Sequence, residues 1–181
     1  MTRRGQVWIE TVLYTLIGLA LIGMVLAFAL PKINQTRDEI IVDQTIESLK
    51  ELDNLINGVA DQGPGNRRTY EIGIKRGSLT FNSEEDIIEF RIKDLADLYS
   101  EEGIEIENGR VKILSSSGQK DKEILLSLDY ENKINISYAG RDEIKEFSAA
   151  PIPYKLSVTN ERQVVGELVN INIEAISGSS N

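Results

Sequence analysis

The chain of 181 residues has no cysteine and no histidine. Without cysteine there is no disulfide framework, and cysteine usage argues neither for nor against an oxidising compartment. Without histidine the commonest general base, the commonest metal ligand and the usual pH switch near neutrality are missing. Positive charge is scarce: 20 Lys and Arg stand against 29 Asp and Glu, a net charge of −9. Such a surface repels phosphate backbones, so nucleic acid is not an expected partner, and solubility outside the cell explains the acidity well enough. Serine nucleophiles lack a partner base, and the adjacent Glu101-Glu102 would point to opposite faces of a strand. No calcium loop with EF-hand spacing is present. The residues therefore point away from an enzyme and call for no cofactor or metal.

Charge is also absent from residues 12–30, an apolar run in which Thr15 is the one plainly polar side chain. As a helix this run covers about 28 Å, close to the hydrocarbon thickness of a bilayer. It is too long for a secretory h-region or an ordinary core helix. Arg3 and Arg4 lie on its N-terminal side, which keeps the N-terminus cytoplasmic and sends the C-terminal mass outward. Glu10 stands two residues before the run. It reads either as a hydrated juxtamembrane carboxylate or as one that awaits a cationic partner, since ionisable groups within membranes usually have one.

Taken together, Arg3-Arg4-Gly5, the following Gln6, Glu10 at the fifth position after the glycine and the apolar run resemble the class III signal of archaeal type IV pilin-like proteins. The resemblance covers residues 1–35 and implies a five-residue leader. A prepilin-type peptidase would cut between Gly5 and Gln6, leaving the apolar helix on the protein. That helix would anchor the precursor in the membrane and later pack in a filament core with other pilin-like subunits, delivered by an assembly machinery. Glu10 would neutralise the new amino terminus of a neighbouring Gln6. Loss of Arg3 and Arg4 leaves 18 basic against 29 acidic residues, a net charge of −11. Two other readings stand beside it. Ala27-Phe28-Ala29 fits an A-x-A site that would release a soluble chain, and an uncleaved anchor would display an extracellular binding module that never polymerises.

Beyond the transmembrane residues 6–30, Pro31 predicts a kink or break. Helical patterning resumes over residues 31–62. Val42, Ile46, Leu49, Leu52, Ile56 and Val59 recur as one face of a helix, with Asp43, Glu47, Lys50 and Glu51 off that stripe. Asp61-Gln62-Gly63-Pro64-Gly65 stops it. The segment 63–68 could be an anion nest flanked by Arg67 and Arg68, or a helix stop with two solvated arginines.

From residue 69 the period becomes two. Tyr70, Ile72 and Ile74 lead through Lys75-Arg76-Gly77 to Leu79 and Phe81, and residues 94–98 read as a helical turn. Ile104 and Ile106 lead into Asn108-Gly109, a type I′ turn pair, and out through Val111 and Ile113. Ile124 to Tyr130 alternate, turn at Glu131-Asn132-Lys133 and return through Ile134, Ile136 and Tyr138. Residues 141–150 read as a polar connection, and Pro151 and Pro153 are expected at an edge or where a strand begins. A last hairpin joins Leu156 and Val158 to Ile171 and Ile173. The expected class is α+β: a long N-terminal transmembrane or filament-core helix, then an antiparallel, sandwich-like or curved-sheet extracellular domain over residues 69–176, and a flexible tail over 177–181. Two glycosylation sequons begin at Asn34 and Asn135. Asn135 is the better placed by pattern, because it and Ser137 fall on the presumed solvent face of a strand.

Overall fold

The computed structural model describes residues 3–118, 121–161, 166 and 168–176, with side chains from residue 8 onward. The expected tail lies outside the described residues. The architecture is α+β. A single helix, α1 (Arg3–Asp61), precedes the strands β1 (Arg67–Ile72), β2 (Ser78–Asn82), β3 (Ile87–Ile92), β4 (Glu105–Asn108) and β5 (Val111–Ser117). They are followed by β6 (Lys122–Asp129), β7 (Ile134–Tyr138), β8 (Ile144–Ser148), β9 (Tyr154–Asn160) and β10 (Val169–Ala175). The strands form a four-stranded sheet, β1-β9-β10-β7, and a six-stranded sheet, β4-β5-β6-β3-β2-β8.

α1 is 59 residues long and runs through Pro31 without the break its sequence suggests. Proline costs about 3 kcal/mol inside a helix. What offsets it lies downstream. All six residues of the predicted stripe, Val42 to Val59, are at most 2% exposed and belong to the core. Burying each contributes about 1.5–3 kcal/mol, so the six together supply on the order of 10 kcal/mol, as much as the whole net stability of an ordinary domain. The stripe touches β1, β9 and β10 of one sheet and β5 and β6 of the other, so both sheets share the helix as a common core element. Where the helix does not reach, the sheets meet through aromatic rings. Phe81 of β2 stacks on Tyr138 of β7 at 6.4 Å, and Phe147 of β8 meets Tyr154 of β9 edge-on at 4.9 Å.

Alternation marks most of the residues that face inward, although Ile104 and Ile106 at β4 are exposed, and it does not mark which strands pair. The turns at Lys75-Arg76-Gly77 and Glu131-Asn132-Lys133 are not hairpins: β1 and β2 lie in different sheets, as do β6 and β7. Each turn carries the chain across the core. Gly77 has φ 88° and a Cβ there would sit 2.2 Å from the Arg91 carbonyl oxygen, so the crossing grazes β3 and admits only glycine. β10 and β7 pair in parallel, the exception among the named strands to the antiparallel expectation. The β4–β5 hairpin is present, but its loop is Gly109-Arg110, closed by the Asn108↔Val111 pair. Gly109 has φ 70° while Arg110, the second loop residue, stays out of the left-handed region, which fits a type II′ turn rather than I′. Residues 94–98 form bends rather than a helical turn. Residues 144–148, read as polar connection, form edge strand β8, in which Phe147 is the one buried side chain. Pro151 and Pro153 precede β9, as expected.

The end of α1 is closed from a distance. Asn160 of β9, 1% exposed, donates its amide N–H groups to the carbonyls of Val59 and Ala60, each at 3.1 Å. Beyond a long bond from the Gly63 N–H to the Ala60 carbonyl at 3.4 Å, the helix end leaves these acceptors to the side chain, which acts as a cap borrowed from the sheet. Because the stripe is the common core, we expect Leu49→Ala to destabilise the domain by about 2–5 kcal/mol. Urea unfolding of a fragment beginning at Lys32 checks this, and a loss under 1 kcal/mol would mean that the helix merely rests on the sheets.

Candidate functional site: the exposed half of the long helix

The N-terminal half of α1 touches almost nothing. From Trp8 the helix holds an 18-residue window of mean hydropathy 2.4, none of it buried, which is long and apolar enough to cross a membrane. Trp8 is 70% exposed and Phe28 78%. An uncovered apolar surface of this length marks an interaction site. The polar Thr15 is accommodated locally, donating its hydroxyl to the Thr11 carbonyl at 2.8 Å. This satisfies the hydroxyl without water.

Gly5 and Gln6 lie in the first turns of α1, and their side chains are outside the described residues. Glu10 is exposed and makes no ion pair among the described residues. Gln6 and Glu10 are four residues apart, hence on one helix face.

Where the apolar run ends, the domain grips the helix. Asp38, with a side chain 13% exposed, holds Arg76 Nη1 at 2.6 Å and accepts the Ala96 backbone N–H on its other oxygen at 2.6 Å. Arg76 Nη2 in turn donates to the Lys93 carbonyl at 2.6 Å and to the Asp94 carbonyl. Charge-assisted bonds of this kind contribute about 1.5–3 kcal/mol each. Gln35 reaches Asp97 at 3.4 Å, and Lys122 holds Asp97 from the far side at 2.7 Å. Residues 93–99 thereby form a collar level with helix residues 35–43. Beside it a notch of about 550 Å³ opens between Phe28, Leu30 and Pro31 of the helix and Ala96 and Asp97 of the collar. The base of the domain therefore abuts the end of the apolar run.

Further out a second polar network, centred on the buried Asp53, holds the helix to the sheets. Asp53 accepts the Tyr130 hydroxyl at 2.8 Å and the Arg110 guanidinium at 3.1 Å, and its carboxylate also takes the Asn57 amide at 2.9 Å. Burial, and then the Asp53 charge, push the Tyr130 hydroxyl far above its ordinary range, so it stays a donor. Sequence reasoning missed Asp53, Arg110, Asp38 and Arg76, because their partners lie tens of residues away. The faint signal was Asp53 itself, a carboxylate next to the apolar stripe.

The sequons change rank. Ser137 is 3% exposed, not solvent-facing, and Asn135 is half-buried with its amide donating to Asn170 at 3.3 Å. β7 is an edge strand, but its outward side chains lie beside Asn170 and Asn172 of β10 in the parallel register, which covers them. Asn34 is exposed on the helix. Arg67 of the possible anion nest belongs to β1 and pairs with Glu174 at 2.8 Å. Among the described residues no group of three or more acidic side chains is placed to hold a metal ion. Comparison with family models, with curated proteins and with solved structures finds no match to this chain.

Two expectations follow from the grip on the helix. Replacing Arg76 with Gln removes the charge that ties Asp38 to the collar. Amide exchange at Ala96 should then speed up strongly while exchange in β6 stays slow; equal protection in both chains would show that the collar is held by its apolar contacts. The second concerns pH. Tyr70 donates to the Ser48 carbonyl at 2.7 Å and Tyr99 to Asp43 at 2.7 Å. Burial raises both hydroxyls to about 12, helped at Tyr70 by the Glu51 charge and at Tyr99 by the bond to Asp43. A raised pKa in the folded state means stability that is complete below about 10, the unfolded value, and is lost as pH climbs towards 12. Unfolding midpoints should therefore be flat from about pH 7 to about 9.5 and fall above about pH 10, and the fall should be smaller in Tyr70→Phe.

Proposed function

We propose that this chain is a pilin-like subunit of a type IV pilus-like surface filament. It is made as a membrane precursor with a cytoplasmic N-terminus and an external β domain, cut after Gly5 by a prepilin-type peptidase, and assembled through α1. The observation that carries this reading is the division of one unbroken helix into two halves. The half following Arg3-Arg4-Gly5-Gln6 offers an apolar surface with nothing on it, while the other half is core of the domain. A detachable anchor would not need to be continuous with the domain's core. Release at Ala27-Phe28-Ala29 would also cut a helix that runs straight through these residues.

In such an assembly Glu10 has a defined task. Within a packed apolar core an unpaired carboxylate is costly, and a carboxylate beside a neighbour's ammonium is far less so. Pairing Glu10 with the Gln6 amine of another subunit neutralises both. Glu10→Ala removes a charge from the bilayer, so membrane insertion should persist or improve, and leader processing should be intact. Incorporation into filaments should fall, and Glu10→Gln, which preserves shape without charge, should fall with it. The measurement is the ratio of this protein in sheared surface filaments to that in membranes. Unchanged incorporation of both variants would remove the pairing role, and a wild type confined to membranes would favour the anchored binding module.

A further inference from the structure

Above the collar a cleft of about 350 Å³ opens between α1 and the segment that leaves β1. β1 ends at Ile72, and residues 73–77 then swing past the helix to reach β2. Two contacts tie this crossing to the helix at its lower end: Lys75 Nζ donates to Gln44 Oε1 at 3.1 Å, and Arg76 grips Asp38. Gly73 leaves the space above them open, since a Cβ there would meet no atom within 4 Å. The floor is apolar, made by Ile41, Ile72 and Phe90, of which the last two are buried. A concave site of this size, with an apolar floor and a few polar groups around it, is how small-molecule sites are built.

The charges around the cleft say what it fits. Glu47, Glu51, Lys75 and Arg76 line it, two of each sign. Arg76 is engaged by Asp38 and by the Lys93 and Asp94 carbonyls, and Glu47 leans on Lys50 at 3.6 Å. Lys75 and Glu51 form no ion pair among the described residues, and Lys75 keeps ammonium donors beyond its bond to Gln44. Gln44 and Glu51 are two helical turns apart, about 10 Å along the axis. A cation thus stands at the lower end and a carboxylate at the upper end, with apolar surface between them. A free α-amino acid carries both charges on adjacent carbons and cannot span that distance. A sugar ring would need an aromatic face to stack on, and Phe90 is only 3% exposed.

We infer that this cleft binds a small linear zwitterion of the ω-amino carboxylate class. Its carboxylate sits at Lys75 and Gln44, its ammonium at Glu51, and its methylene chain over Ile41, Ile72 and Phe90. Each end is held by a charge-assisted hydrogen bond, and the spacing of the two ends selects the length of the chain. The inference does not depend on the filament reading, because the cleft belongs to the half of the helix that is core of the domain.

The probe is 6-aminohexanoate, titrated into the full chain in detergent micelles and followed by the backbone amide signals of Ser48, Gly73 and Lys75. These should shift and saturate, with a half-point on the order of 1 mM, as suits so small a ligand. Hexanoate and hexylamine, each short of one charge, should bind about ten-fold more weakly or worse, and so should 4-aminobutanoate, which is too short to reach both ends. Glu51→Gln and Lys75→Met should each weaken 6-aminohexanoate by about ten-fold. Gly73→Leu fills the cleft at a position without a positive φ, so it should keep the wild-type unfolding midpoint and lose binding. No saturable shift in the wild type up to about 20 mM would overturn the inference. Equal affinity for hexanoate, hexylamine and the zwitterion would overturn it too, by showing plain apolar contact, as would wild-type binding by a folded Gly73→Leu. If Gly73→Leu unfolds, Glu51→Gln and Lys75→Met decide, and wild-type affinity in both overturns it.

Discussion

Everything in this molecule depends on the burial of six residues from the outer half of one helix between two sheets. Val42, Ile46, Leu49, Leu52, Ile56 and Val59 lie in the core on a helix that touches strands of both sheets. Away from the helix the sheets meet at the cluster of Phe81, Tyr138, Phe147 and Tyr154. The free energy involved is of the size of a whole domain's net stability. The domain therefore cannot be parted from the helix, and any force on the apolar half is delivered straight into the β core.

That coupling is reinforced where mechanics would demand it. Asp38 and Arg76 fasten the collar at the lower end, Asp53, Arg110 and Tyr130 hold the middle, and Asn160 closes the top. These are polar contacts placed at the margins of an apolar stripe, where they add geometry more than energy. A buried carboxylate such as Asp53 is tolerated because three donors surround it. Together they fix the rotation of the helix against the sheets, and so fix which helix face stays uncovered.

How much of this could be read in advance follows from the range of the physics. A stripe at gaps of four and three residues is a local property of a helix, and every member of it is buried. The inward alternation of Ile124, Leu126, Leu128 and Tyr130 is equally local and equally right. Partner choice is not local. Gly77 and Asn132, with φ 88° and 60°, do reverse the chain, but a reversal says nothing about whether the flanking strands share a ladder. β8 escaped because an edge strand over an aromatic cluster needs only Phe147 inside. Of the site, the apolar run is a local property and is legible at once. Asp38 with Arg76 and Asp53 with Arg110 are contacts made by the fold, and no spacing announces them. Asn135 and Ser137 were misplaced because the pleat alone was considered, and the row of asparagines on β10 beside them was not.

The account stands on the claim that the helix is kept whole after processing and carried into the filament. The most direct measurement is the intact mass and N-terminal sequence of this protein recovered from sheared surface filaments. The result expected is a single chain that begins at Gln6 and retains the entire apolar run. A chain beginning near Leu30, or one that still begins at Met1, would contradict it.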